Sequence, residues 1–199
     1  MSEQDKLLEI LKETKALLSG HFVLTSGFHS DSYFQCARVL QYPKYAGLMS
    51  ELIGERFLGE EIDVVIAPAI GGIVVACAIG DYLGQKNKKD LRVIFSERVD
   101  DKMTLRRGFS IKKGEKVLVV EDVITTGGSI KEVIELARNE GAEIIGVGSI
   151  VDRSGGKVDF GVRKEVLLSL DVKKFTQDEC PLCKKGIPVD KPGSRNSLK

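Results

Sequence analysis

Lys116-Val117-Leu118-Val119-Val120-Glu121-Asp122-Val123-Ile124-Thr125-Thr126-Gly127-Gly128-Ser129 is the stretch on which the reading of this chain turns. Residues 116–120 form a nearly continuous apolar run, as expected of a strand buried on both faces. A Thr/Gly turn follows at once, and then an amphipathic helix through Asn139. A buried strand that passes directly into a helix is the repeating unit of a parallel sheet. The same rhythm extends on both sides. Asp63–Ala67 leads through a Pro/Gly turn to a small-residue helix near Ile73–Leu83, and Leu91–Phe95, Glu143–Val151 and Val166–Leu170 supply further strands. The expected fold is α/β: a doubly wound, mainly parallel central sheet with flanking helices and a small N-terminal hood.

Upstream, Leu7, Leu8, Ile10, Leu11, Leu17 and Leu18 recur at helical spacing, so the pattern predicts one helix over 5–18, stopped at Gly20. Irregular alternation from His21 to Leu40 suggests short strands. Pro43 opens a helix to about Leu58. The expected organisation is a single domain over 1–199, with an N-terminal helix and hood at 1–42, a core at 43–175 and a tail at 176–199. Beyond Lys184, residues such as Gly186, Pro188, Pro192, Gly193 and Ser194 predict no regular structure.

Composition narrows the function classes. In 199 residues, 30 basic and 29 acidic side chains nearly cancel, so no global field points to nucleic acid and any anion site must be local. The longest apolar run, Ile70–Ile79, contains two glycines and is too short to cross a bilayer. An acidic start without an apolar stretch does not read as a signal peptide, and four cysteines do not make a disulfide framework. A cytoplasmic protein without a membrane partner is expected.

The turn after the central strand carries the chemistry. A strand, a Thr/Gly turn and a helix N-terminus aim several N–H groups and a positive dipole end at one point, an arrangement suited to a phosphate. Thr125, Thr126 and Ser129 add hydroxyls, while Gly127 and Gly128 permit close backbone approach. Glu121 and Asp122 would repel a bare anion. They make sense as acceptors for a vicinal diol, or as support for Mg²⁺ or for positive charge developing on a sugar. A phosphorylated ribose satisfies both halves. No G-x-x-x-x-G-K-[ST] or G-x-G-x-x-G is present. A plainer account, in which Ser129 and Glu132 form a capping box, explains the helix start but not the two acids and two threonines before it.

Residues 119–129 resemble the phosphoribosyl-pyrophosphate signature of type I phosphoribosyltransferases. The resemblance implies that Thr125 to Ser129 hold the 5-phosphate and that Glu121 and Asp122, with Lys102, serve catalysis. Three further segments resemble the orotate-using branch. Phe22–Gly27 with Ser30–Phe34 is similar to its hood, implying that Tyr33 and Phe34 flank the pyrimidine; core packing is the alternative. Thr25, Phe28 and Val99 stand where many relatives carry basic residues. Ala67-Pro68-Ala69-Ile70-Gly71-Gly72 looks like the pyrophosphate loop, with amides at Ala69, Ile70, Gly71 and Gly72 facing the diphosphate; an ordinary βα turn is the alternative. Residues 96–108 resemble a mobile catalytic loop in which Lys102 stabilises departing pyrophosphate and Arg98 contacts it, against a solvated charged hairpin. Arg153 matches an arginine that pairs with the orotate carboxylate, the alternative being a surface residue at a strand end.

The resemblance thus implies transfer of phosphoribose from phosphoribosyl pyrophosphate to orotate with Mg²⁺. It also implies a homodimer whose 96–108 loop acts across the interface. Another nucleobase, or a sensor of phosphoribosyl pyrophosphate with no catalytic role, remain open. Cys180-Pro181-Leu182-Cys183 supplies half a tetrahedral metal site, and His21 and His29 are remote in sequence, so a buried or redox-indifferent turn with no metal is expected. Cys36 and Cys77 are expected in the core.

Overall fold

The structure, a computed structural model, describes residues 2–24 and 26–192. Along the chain run α1 (Glu3–Glu13), β1 (Leu17–Val23), β2 (His29–Phe34), α2 (Ala37–Leu40), α3 (Pro43–Glu55), β3 (Val64–Pro68), α4 (Gly71–Asn87), β4 (Arg92–Val99), β5 (Lys102–Leu105), β6 (Lys116–Ile124), α5 (Gly128–Asn139), β7 (Glu143–Asp152), β8 (Lys164–Ser169) and α6 (Pro181–Lys184). These elements fall into two compact units. One combines the segments Met1–Val39 and Asp171–Lys199; the other is Leu40–Leu170.

The larger unit is a six-stranded sheet of order β5-β4-β3-β6-β7-β8. All neighbours are parallel except β4 and β5, which form an antiparallel hairpin. Helices cover both faces, as the nearly unbroken apolar strands require. Val64, Ile66, Val117, Val119 and Val147 point to one face and pack against Ile130, Val133, Ile134 and Ala137 of α5. Those helix positions follow the i, i+3, i+4, i+7 stripe, and each large aliphatic side chain contributes about 1.5–3 kcal/mol of gross burial energy. The opposite face receives α3 and α4, whose Met49, Ile53, Val75, Ala76, Ile79 and Leu83 are buried. The expected α/β architecture is therefore the observed one.

In the smaller unit, α1 has a complete capping box: Ser2 accepts from the Asp5 amide at 3.1 Å and Asp5 from the Ser2 amide at 2.9 Å. The helix ends at Glu13 rather than running to 18. Thr14 caps it, Lys15 takes a left-handed φ of 55°, and the chain re-enters as β1. Leu17 and Leu18 fit the helical pattern by spacing, yet they pair with Phe34 and Tyr33 across an antiparallel ladder. Leu7 and Leu11 already fill the inner face of α1, and both are fully buried. Tertiary pairing thus decides a stretch whose periodicity suits either state.

Beyond Lys184 the described residues form no helix or strand, as their composition suggests, apart from an isolated bridge at Asp190. Phe175 bridges His29, Asp190 bridges Phe22, and α6 forms between them. Gly193 and Ser194 of the expected tail, and Thr25, lie outside the described residues. Among those described, no helix is long and apolar enough to cross a membrane.

Candidate active site

Strand order fixes where a ligand can bind in the larger unit. The connection β3–α4–β4 winds toward one edge and β6–α5–β7 toward the other, so the winding reverses between the adjacent strands β3 and β6. The crevice outside the carboxyl ends of such a pair is where open α/β sheets bind ligands. Both turns singled out in the sequence lie there. Val117–Val120 are fully buried, and β6 emerges into partial exposure at Glu121, Asp122 and Val123. A concavity of about 580 Å³ lies elsewhere: it runs along the C-terminal half of α4 to Leu91 and Val93, at the opposite ends of the strands.

The turn after β3 presses against the two acids. A β-carbon at Gly71 would collide with the Asp122 carboxylate, and one at Gly72 would lie 3.0 Å from Glu121 Oε1 and 2.9 Å from Ala67 Cβ. Glycine is therefore needed for backbone amides to approach the carboxylates this closely. The Ala69 amide is already committed, donating to the Ser96 carbonyl at 2.9 Å. Ile70 projects outward at 83% exposure.

The acids are held from below. The Asp122 amide donates to Glu121 Oε1 at 3.1 Å, the Val123 amide to Asp122 Oδ1 at 2.9 Å, and Ser149 Oγ to the Asp122 carbonyl at 3.3 Å. Burial, reinforced by the neighbouring Asp122 charge, pushes Glu121 up to about 9. Burial also raises Asp122. Both side chains keep partial solvent contact by area, but the surrounding protein and their closeness disfavour two full charges. Hydroxyl donors or a cation arriving at this point would relieve that repulsion.

Beyond Ile124 the chain forms the cradle. Gly127 adopts a left-handed φ of 76° and precedes α5, and a β-carbon there would meet Val158 Cγ1 at 2.6 Å. Thr125 to Ile130 line a cavity of about 50 Å³ with Glu121. No side chain caps α5. The capping box considered for Ser129 and Glu132 does not form, because the helix starts one residue before Ser129. The first-turn amides face the cradle instead. Glu132 bonds Arg98 at 3.0 Å.

Residues 96–108 are largely hairpin: β4 extends through Val99, pairs Val99 with Lys102, and turns through Asp100 and Asp101, both at positive φ. Lys102 is exposed beside this turn. Arg98 is tied to α5 through Glu132 and donates to the Asp101 carbonyl at 2.6 Å. Arg107 grips Glu97 through two bonds of 3.0 and 2.9 Å, which hold the Glu97 carboxyl below its ordinary range. Arg153 follows β7, its amide bonded to the Ile124 carbonyl at 2.8 Å, and so stands one strand from the cradle. Asp152, before it, is fully buried; burial pushes its carboxyl up, but Ser154 and Lys164 outweigh this and hold it low.

Tyr33 and Phe34 belong to the smaller unit, where the Tyr33 ring packs at a tilt against Phe22, centroids 5.7 Å apart, and Phe34 is buried. Phe28 is 42% exposed. Cys36 is buried as expected. Cys77 is exposed, because the inward positions of α4 fall at Val75, Ala76 and Ile79. The pattern reading also missed His21 and His29, which the smaller unit brings beside Cys180 and Cys183. Their inward places on a hairpin were the available signal.

An anion cradle beside a carboxylate pair at the reversal of a doubly wound sheet defines a protein built around a phosphorylated sugar. A model of the phosphoribosyl transferase domain matches residues 38–182, and the chain belongs to that family. Its curated relatives narrow this to the orotate phosphoribosyltransferases. The protein of that name from Caldanaerobacter subterraneus subsp. tengcongensis is 55% identical over 97% of this chain and 98% of its own length. The one from Thermotoga maritima is 51% identical over 94% and 97%. Among solved structures, the orotate phosphoribosyltransferase from Aeropyrum pernix superposes with a TM-score of 0.67 at 28% identity, covering 82% of this chain and 93% of that one.

Proposed function

We propose that the protein transfers the 5-phosphoribosyl group of phosphoribosyl pyrophosphate to N1 of orotate, giving orotidine 5-phosphate and pyrophosphate. One observation carries this reading: the Gly71-Gly72 turn closes on Glu121 and Asp122 directly beside the α5 N-terminus. Amides for a diphosphate, acceptors for a diol and a cradle for a phosphate thus occur together, in the order in which the donor carries these groups.

In this scheme Thr125–Ser129 bind the 5-phosphate, and Glu121 and Asp122 accept the ribose hydroxyls. The amides of Ile70 to Gly72 meet the diphosphate. As the glycosidic bond breaks, positive charge grows on the sugar near the carboxylates and negative charge grows on the leaving oxygen. Lys102 and Arg98 are the cations offered to the latter. Arg153 orients the orotate carboxylate. No covalent intermediate on the protein is required; positioning and charge stabilisation suffice.

The half-buried carboxylate pair, hard oxygen donors with raised proton affinity, is chemically suited to Mg²⁺ accompanying the donor. Bound there, Mg²⁺ would neutralise charge on the diphosphate oxygens. The reading includes a homodimer in which the 96–108 segment serves the neighbouring site; the position of β5 at the sheet edge and the exposure of Lys102 support it. A cytoplasmic setting is supported by cysteines that form no disulfide among the described residues.

Consumption of orotate, uracil, hypoxanthine and adenine should be followed separately with phosphoribosyl pyrophosphate and Mg²⁺. Orotate should be consumed fastest. Faster turnover of a purine would overturn the choice of base and leave the family unchanged.

A further inference from the structure

His21, His29, Cys180 and Cys183 come from opposite ends of the chain, yet one ligand atom from each lies within 4.8 Å of all the others. We propose that these four side chains form a tetrahedral Cys₂His₂ site for zinc, a structural centre that clasps the C-terminal segment to the β1–β2 hairpin. The site goes beyond the transferase reading and stands independently of it.

Each ligand is delivered by a defined piece of backbone. His21 and His29 lie on the two strands of the hairpin. The His29 amide donates to the Phe175 carbonyl at 2.8 Å and the Phe175 amide returns a bond of 2.9 Å. The Asp190 amide donates to the His21 carbonyl at 2.7 Å. Between these two clamps the chain makes a C-x-x-C turn, with Cys180 preceding α6 and Cys183 inside it. The Lys184 amide donates to the Cys180 carbonyl at 3.1 Å and the Gly186 amide to the Cys183 carbonyl at 2.9 Å, so the turn is closed by its own backbone.

The distances fit a metal better than they fit a packing cluster. A tetrahedral ion with Zn–N of about 2.0–2.1 Å and Zn–S of about 2.3 Å sets N···S edges near 3.6 Å and an N···N edge near 3.3 Å. His21 Nε2 lies 3.5 Å from Cys180 Sγ and 3.6 Å from Cys183 Sγ, and His29 Nδ1 lies 3.3 Å from Cys183 Sγ. The imidazole nitrogens are 2.7 Å apart and would open by about half an ångström on coordination. His21 Nδ1 sits 2.7 Å from the Ile187 carbonyl. That bond makes Nδ1 the protonated nitrogen and turns the Nε2 lone pair toward the thiols, the outer support that metal-bound histidines ordinarily have.

Donor chemistry selects the ion. Two thiols with two imidazoles suit a borderline-soft ion in tetrahedral geometry, whereas Mg²⁺ takes hard oxygen ligands. Four protein ligands leave no open position, which marks the centre as structural. Zinc would displace the two thiol protons to solvent, and two thiolates would balance its charge. His21, His29 and Cys180 are buried, while Cys183 keeps partial exposure and gives the ion a way in. Apart from these ligands, the smaller unit buries few large side chains, chiefly Leu7, Leu11, Phe22 and Phe34, so a metal staple has a clear energetic role.

The full-length protein, purified under reducing conditions and passed through gel filtration with chelator, should retain about one zinc per chain by plasma mass spectrometry. Exchange with Co²⁺ should produce the visible bands of a tetrahedral ion with a thiolate charge-transfer band in the near ultraviolet. Cys183→Ser should remove most of the metal. His29→Cys, which keeps four ligands, should retain it and strengthen the charge-transfer band, so the test survives if the serine variant fails to fold. Metal-free protein that takes up no Co²⁺ after reduction would overturn the site. So would a Cys180–Cys183 disulfide in protein never exposed to oxidant, or a Co²⁺ spectrum without thiolate character.

Discussion

Replacing Glu121 by glutamine should make the unliganded protein more stable at neutral pH and at the same time disable it. An acid whose folded pKa is raised contributes its full stability below the unfolded value, here 4.5, and loses it as pH climbs toward about 9. In that window the folded state retains a proton that the unfolded state has released. Each pH unit of the window costs at most about 1.4 kcal/mol. Partial solvent contact and coupling to Asp122 reduce this, by about half as a working figure. From pH 5.5 to 7.5 the wild type should therefore lose roughly 1.4 kcal/mol relative to Glu121→Gln, which cannot ionise. For a chain of this size that corresponds to about 3–6 °C in Tm. Thermal unfolding of both proteins across this range, without ligand, measures the difference directly. Turnover should fall about ten- to a thousand-fold, because an amide replaces a carboxylate facing the diol and the developing sugar charge. A Tm difference that does not grow with pH, or a variant of normal activity, would refute the account of this pair.

Gly71→Ala places a methyl group against the Asp122 carboxylate, so kcat/KM should fall about ten- to a hundredfold while far-ultraviolet circular dichroism is unchanged; wild-type kinetics would show that the turn can yield. Lys102→Ala should lower kcat strongly and affect the KM for phosphoribosyl pyrophosphate little, since the charge it meets grows as the leaving group departs. Mixing inactive Lys102→Ala with inactive Asp122→Asn under conditions of subunit exchange should restore activity, because one site of each heterodimer then carries neither defect. Confirmed exchange without recovery would place Lys102 at its own subunit's site or outside catalysis.

What the sequence alone determined is what short-range patterns can encode. Buried strands 117–120 and 64–67 read as apolar runs because both of their faces meet helices, and Gly127 read as a turn because its φ of 76° suits glycine. The cradle and the carboxylate pair were legible for the same reason: strand, turn and helix N-terminus are contiguous, so their geometry follows from local backbone preferences. Tertiary structure decided the rest. Leu17 and Leu18 satisfy helical spacing but belong to a strand, since their partners on β2 are specified outside the local pattern. Whether Ser129 capped a helix depended on where α5 began, and Glu132 found Arg98, 34 positions away. Cys180 and His21, separated by 159 positions, meet only because Phe175 and Asp190 pair with the N-terminal hairpin. Two cysteines three positions apart at most suggest a metal turn. Only folding supplies the two histidines that complete it.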